Sequence, residues 1–238
     1  MIRFFYVLLI NMFRIPYYIW IAECMLKHPE RYTEKERYAL DIKVIKILKR
    51  TGGVKTRVFG QEQLPKKGGY VMFANHQGKY DALGIMYGHK EPCSLVMDEK
   101  KSHVPIVRQF IDMVDGKRLK KDNVKQAMHI IYEMAEEVKN GRKYIIFPSG
   151  GYNHGGNQVM PFKGGSFKAA IRARAPIVPV AIIDSYRVFE MNTLGKVKTQ
   201  VHFLAPIPYE EYKDMKTLEI AKMVEERIVN CIDIYGKK

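Results

Sequence analysis

Apolar positions fall into two regimes that meet near residue 53. Before it they are continuous or helical. Residues 4–13 (FFYVLLINMF) are almost wholly apolar, Arg14 interrupts, and residues 15–22 (IPYYIWIA) resume the run. A helix that crosses a bilayer needs about 20 apolar residues. Neither half reaches that length, and joined they would set Arg14 near mid-bilayer at roughly 2.5–3.5 kcal/mol. Tyr6, Tyr17, Tyr18 and Trp20 favour the headgroup level. We favour a segment lying in one leaflet over a single tilted span or an ordinary buried helix. The absence of a small-residue cleavage site argues against a removed secretory signal. A second helix follows. Thr33 with Glu36 three residues on forms a capping box, Tyr38, Ile42, Ile45 and Leu48 make an apolar stripe, and Gly52 is a stop. Lys43, Lys46 and Arg50 lie on another face, either solvated or, beside an apolar N-terminus, facing anionic lipid.

After residue 53 short apolar runs alternate with helical periodicity. Strands are predicted at 70–74, 94–97, 144–147, 177–183 and 197–203. Helices are predicted at 81–87, 104–113, 124–139, 165–173 and 216–235. This alternation predicts an α/β layer architecture, a mostly parallel mixed sheet flanked by helices, preceded by an N-terminal membrane-associated helix pair. The chain divides into residues 1–52, the membrane-associating helices, and 53–238, the α/β domain. Pro179 in the fourth of these strands suggests an edge or early position for it.

Charge sharpens the picture. The 238 residues carry a net +15, which calls for an anionic partner: phospholipid, nucleic acid or a phosphorylated substrate. The basic residues are spread along the chain without a helix-turn-helix or zinc pattern, so nucleic acid is the weakest of the three. Cys24, Cys93 and Cys231 are odd in number and widely spaced, as expected of buried free thiols in a reducing compartment. No Cys/His metal spacing occurs, and no metal site is expected.

In an open α/β sheet the ligand lies beyond the carboxyl ends of the strands. The strand at 70–74 runs into Asn75-His76-Gln77-Gly78-Lys79-Tyr80-Asp81. A loop of this length can fold back so that Asp81 accepts the imidazole Nδ1–H and leaves Nε2 to take a proton from a hydroxyl. Asp81 serves equally well as a helix N-cap. The strand at 144–147 delivers Pro148-Ser149-Gly150-Gly151, a turn whose N–H groups either face a ligand or merely reverse the chain. Gly116-Lys117-Arg118-Leu119-Lys120-Lys121 is a phosphate-binding cluster or a solvated loop. His28, His89, His103, His129, His154 and His202 have no carboxylate at suggestive spacing and read as surface or structural residues.

Taken in order, these blocks resemble the lysophospholipid acyltransferases. That family's first block is Asn-His, four residues, then Asp, matched by Asn75, His76 and Asp81. Its third is Phe-Pro-Glu-Gly, matched by Phe147, Pro148, Gly150 and Gly151, and its fourth is matched by Val178-Pro179-Val180. Two departures stand out. Ser149 replaces the family glutamate, and the second block is imperfect, so its phosphate-binding cation falls on Arg118 or, by an ungapped count, on Lys121. The resemblance implies the glycerolipid acyltransferase fold. It also implies transfer of a fatty acyl group from acyl-CoA or acyl-carrier protein to 1-acyl-sn-glycerol 3-phosphate (lysophosphatidic acid), giving phosphatidic acid. His76 would be the general base and Asp81 its partner. Asn75, Arg118, Lys121, Ser149, Gly150 and Gly151 would bind substrate, with N–H groups near the two glycines stabilising an oxyanion. No metal or resident cofactor would be needed. The implied setting is the cytoplasmic face of the cell membrane, monotopic or peripheral, on anionic phospholipid. The alternatives are another lysolipid acceptor, or a membrane-surface binding protein of the same fold with weakened chemistry.

Overall fold

The structure is a computed structural model that describes residues 2–120 and 123–236. Three helices come first, α1 (Ile2–Ile10), α2 (Arg14–Lys27) and α3 (Glu34–Thr51). The order then runs β1 (Val54–Phe59), β2 (Tyr70–Ala74), α4 (Asp81–His89), β3 (Ser94–Asp98), α5 (Glu99–Ser102), α6 (Val107–Met113), β4 (Lys117–Leu119), α7 (Val124–Lys139) and β5 (Lys143–Ile146). It ends with α8 (Lys168–Ala173), β6 (Ile177–Ile183), β7 (Val197–Phe203), α9 (Tyr209–Tyr212) and α10 (Thr217–Tyr235). The seven strands form one sheet in the order β1-β7-β6-β2-β5-β3-β4. Every neighbouring pair is parallel except β6 with β7. The chain therefore has the expected mixed, mostly parallel α/β architecture.

The central strands are continuous apolar runs because helices cover both faces. Alternate residues of β2 enter opposite cores. Val71 and Phe73 pack with residues of α7, α8 and α10, while Tyr70, Met72 and Ala74 pack with residues of α3, α4 and α6. Tyr38 and Ile45 of α3 lie in that second core, so α3 is seated on the sheet just before the expected boundary at residue 53. Thr33 Oγ1 accepts from the Glu36 N–H at 3.3 Å and the Glu36 carboxylate accepts from the Thr33 N–H at 2.8 Å, completing the capping box. Gly52 is the C-cap of α3.

Three expectations need correction. Pro179 does not mark an edge, because β6 lies between β7 and β2. Its carbonyl accepts from the Leu204 N–H at 2.9 Å, and the return donor that proline lacks would fall beyond Val180↔Phe203, where the antiparallel ladder ends. The helix expected from residue 165 begins as a 3-10 turn, Gly164–Phe167, before α8. Of the three free cysteines, Cys93 and Cys231 are buried but Cys24 is partly exposed. No single described helix is long and apolar enough to cross a membrane. The pair α1 and α2, bent by 78°, meets that test together on length and composition.

Candidate active site

The site lies where the connections of the sheet change direction. From β2 the chain passes through α4 to β3, on one side, and from the adjacent β5 it passes through α8 to β6, on the other. Such a switch point opens a crevice beyond the carboxyl ends of two neighbouring strands. His76 follows β2 and Phe147–Gly151 follows β5, so both segments face that crevice.

The loop after β2 is built around one carboxylate. Asp81 Oδ2 lies 2.6 Å from His76 Nδ1 and also accepts the backbone N–H of Gln77 at 2.5 Å and of Gly78 at 2.9 Å. These donors precede Asp81 in the chain, and the N-cap of α4 is Tyr80, so the carboxylate closes the loop and does not cap the helix. The Asp81 side chain is fully buried, whereas His76 is about one-fifth exposed. Because Oδ2 is a carboxylate acceptor, Nδ1 carries the hydrogen and Nε2 presents a lone pair. Nε2 has no hydrogen-bond partner among the described residues. Asn75 stands behind the histidine. Its Oδ1 accepts from the Ile182 N–H at 2.7 Å and its Nδ2 donates to the Ile182 carbonyl at 2.9 Å, so both amide ends are tied to β6. Gln77, which sequence reasoning missed, donates to Asn157 Oδ1 and the Ile182 carbonyl, each at 2.9 Å, and accepts from the Ser185 N–H at 2.9 Å. Residues on both sides of His76 are thus anchored to the sheet end.

The loop after β5 wraps the same imidazole. Phe147 stacks on it at 4.3 Å and 23°, and Tyr152 meets it edge-on at 4.7 Å and 76°. Burial holds the Tyr152 phenol above its ordinary pKa, with the negative charges of Glu190 and Asp81 adding to the effect. Ser149 is buried and its Oγ donates to the Gly151 carbonyl at 2.7 Å, so the hydroxyl is turned into its own loop. The Gly150 N–H donates to the Phe147 carbonyl at 3.0 Å and is not open to an oxyanion; that of Gly151 has no partner among the described residues. Gly150 has φ +73°, and Lys163 Nζ sits over it.

The other cations near the crevice are already paired. Glu190, packed against Gly78, faces Lys79 at 3.3 Å and His154 at 3.5 Å, so His154, read from sequence as a surface or structural residue, stands beside the site. Arg118 Nη2 donates to Asp112 Oδ1 at 2.6 Å and its Nε to Ser102 Oγ at 3.0 Å. It sits on β4, three strands from β2, or about 14 Å across the sheet at the usual strand spacing. Lys121 lies outside the described residues. Among the described residues no three His, Cys, Asp or Glu side chains are grouped to hold a metal ion.

The fold and site therefore place a carboxylate-held histidine beyond the strand ends of an α/β sheet. Residues 55–183, more than half of the chain, match the Acyltransferase family, and the chain belongs to it. It is 29% identical over 201 residues to the 1-acyl-sn-glycerol-3-phosphate acyltransferase of Saccharomyces cerevisiae, covering 80% of this chain and 64% of that one. It is 23% identical to the protein of the same name from Borreliella burgdorferi, covering 79% of this chain and 76% of that one. The chain spans about half to two thirds of the curated eukaryotic relatives it matches, 48% to 64% of their lengths. Its fold is that of the 1-acyl-sn-glycerophosphate acyltransferase PlsC from Thermotoga maritima. The crystal structure of that protein matches at a TM-score of 0.76 and 20% identity, covering 100% of this chain and 96% of that one.

Proposed function

We propose that this protein transfers an acyl group from a thioester to the free hydroxyl of 1-acyl-sn-glycerol 3-phosphate, giving phosphatidic acid. The observation that carries this reading is the His76–Asp81 pair, 2.6 Å apart with Nε2 unpartnered, in a chain of the Acyltransferase family whose matched relatives bear that activity as their name. The acceptor hydroxyl hydrogen-bonds to His76 Nε2. As its oxygen attacks the thioester carbonyl, Nε2 takes the proton. Asp81 fixes the Nδ1–H tautomer and stabilises the imidazolium. The Gly151 N–H is the backbone donor available to the carbonyl oxygen as charge develops there. Collapse of the tetrahedral intermediate breaks the carbon–sulfur bond, and the thiolate recovers the proton from the imidazolium, releasing the ester and a thiol. Acyl-CoA and acyl-carrier protein both fit this chemistry. The exposed apolar residues of α1 and α2 would set the site against an anionic membrane from its cytoplasmic face.

The test is phosphatidic acid formation by the purified full chain from lysophosphatidic acid with each donor. Wild type should turn over, and His76→Ala should lose about 10²–10⁴-fold while keeping its unfolding midpoint. Equal turnover by a folded His76→Ala protein would remove the histidine from the mechanism. Ser149 favours a second reading, a different lysolipid acceptor, because the turn after β5 offers no carboxylate and its hydroxyl is spent on the Gly151 carbonyl. Product from another lysolipid in preference to lysophosphatidic acid would select it.

A further inference from the structure

We propose that Lys163 is the cation that receives the phosphomonoester of the acceptor. This assignment rests on the acceptor reading above and replaces the Arg118 expected from sequence. The Lys163 ammonium lies directly over the turn that follows β5. Its Nζ is 3.2 Å, and its Cε 3.8 Å, from the point a Cβ on Gly150 would occupy. Position 150 has φ +73°, which glycine adopts freely, and the missing Cβ is what lets the ammonium come so close. The lysine's backbone is fixed on both sides. Its N–H donates to the Pro148 carbonyl at 3.1 Å, its carbonyl accepts from the Ser166 N–H at 3.0 Å, and the preceding Phe162 N–H donates to Glu225 Oε2 at 2.7 Å.

The side chain itself is exposed and makes no ion pair or hydrogen bond among the described residues. Other cations are paired: Lys79 and His154 face Glu190, Arg187 faces Asp184 at 3.7 Å, and Arg118 is held by Asp112. Ser149 is uncharged and turned toward Gly151, so the turn gives Lys163 no carboxylate. An ammonium offers a compact charge and three donors, which suits a phosphate dianion. Phe147 and Tyr152, at either end of the turn, both touch the His76 ring. The phosphate and the free hydroxyl of a glycerol phosphate are only a few bonds apart, so one ligand can reach Lys163 and Nε2 together. Arg118 stands on β4, three strands from β2, with its guanidinium already held by Asp112 and Ser102.

Two measurements on the full chain test this. The first is acetylation of lysines by sulfosuccinimidyl acetate, read peptide by peptide by mass spectrometry. Millimolar sn-glycerol 3-phosphate should slow modification of Lys163 by about threefold or more and leave exposed Lys168 unchanged. Adenosine 3′,5′-bisphosphate, which carries the donor nucleotide's phosphate chemistry, should protect less. The second is steady-state kinetics. Lys163→Gln should raise KM for lysophosphatidic acid about tenfold, hold kcat at saturation within about threefold and leave KM for acyl-CoA unchanged; Lys163→Arg should recover most of the loss. An unchanged acceptor KM in an active Lys163→Gln protein overturns the proposal, and so does protection by the bisphosphate alone. If wild type fails to acylate lysophosphatidic acid while glycerol 3-phosphate still protects Lys163, the acceptor reading falls and the phosphate site stands.

Discussion

At the scale of single residues, the candidate site depends on a carboxylate with three donors on one oxygen. Asp81 Oδ2 gathers His76 Nδ1 and the N–H groups of Gln77 and Gly78 within 2.9 Å. An amide at position 81 has one acceptor and one donor end. In Asp81→Asn, keeping the carbonyl oxygen on the two N–H groups would put the NH2 at the buried, unpartnered place of Oδ1, and the imidazolium of the transition state would lose its counter-charge. Turning the NH2 to Nδ1 would favour the wrong tautomer. Both routes predict a kcat fall of about 10²–10⁴-fold with acceptor KM changed much less, measured by steady-state kinetics beside a thermal melt. Near-normal kcat in the folded variant would reduce Asp81 to a loop-closing role. The spacing of His76 and Asp81 was legible because both lie in one short loop. Tyr152 and Lys163 were not, because they come from segments far from that loop in sequence; Gln77 lies within it, but its partners Asn157, Ile182 and Ser185 are brought there only by folding. Arg118 shows the converse: its residue type suits phosphate, but only the coordinates show Asp112 and Ser102 occupying its guanidinium.

At the scale of elements, the five strands that sequence revealed are the interior ones of the sheet, and the two it missed are its edges. β2 and β6 are buried throughout and read as unbroken apolar runs. β1 (VKTRVF) alternates in burial and β4 (KRL) is three half-buried residues, so neither exceeds the signal of a loop. The ends of α4 carry a further coupling. The helix begins at Asp81 and ends at His89, whose Nδ1 donates to the Glu91 carbonyl at 2.8 Å and whose Nε2 accepts from the Tyr70 hydroxyl at 2.5 Å, fastening it to the first residue of β2. Only the neutral ring serves this arrangement. Burial, the largest cause, lowers the His89 pKa to about 4. The unfolded chain takes up the proton below about 6.5, so stability is present above that pH and is lost as pH falls toward 4. Between pH 7.5 and 5 this one group should remove about 2 kcal/mol. His202, also lowered to about 4 by burial, shifts stability in the same direction. Urea unfolding at the two pH values should show a smaller pH-dependent difference in His89→Gln than in wild type. An equal difference in the two proteins would mean that His89 is not the group titrating.

At the scale of the whole molecule, the apolar helices and the candidate site share one structural unit. Arg3 of α1 is fully buried, and its guanidinium donates to the carbonyls of Arg187 at 3.1 Å, Val188 at 3.2 Å and Gly195. Phe4 meets Phe189 edge-on at 5.7 Å, and Phe189 in turn contacts Tyr80 of the loop that holds His76. Glu190 follows at once against Gly78, so α1 is fastened to the wall of the crevice. While Arg3 and Val7 point inward, Phe5, Leu9, Phe13 and Trp20 remain 60%, 67%, 86% and 64% exposed. Deleting the helices would uncover the core around Met25 and Met113 and confuse anchoring with folding, so the sharper test alters only the exposed positions. Each such side chain contributes roughly 1 kcal/mol or more when its exposed surface enters hydrocarbon. Changing Phe5, Leu9, Phe13 and Trp20 together to Gln should weaken sedimentation with anionic vesicles by at least about a hundredfold. Activity on a short-chain, water-soluble acceptor should persist. The net +15 charge would supply a second component, and 1 M salt should weaken wild-type binding only in part by shortening the Debye length to about 3 Å. Undiminished sedimentation of the fourfold variant would place the anchor elsewhere on the molecule. Complete release of wild type by salt would make the attachment electrostatic, leaving the apolar face without a role in it.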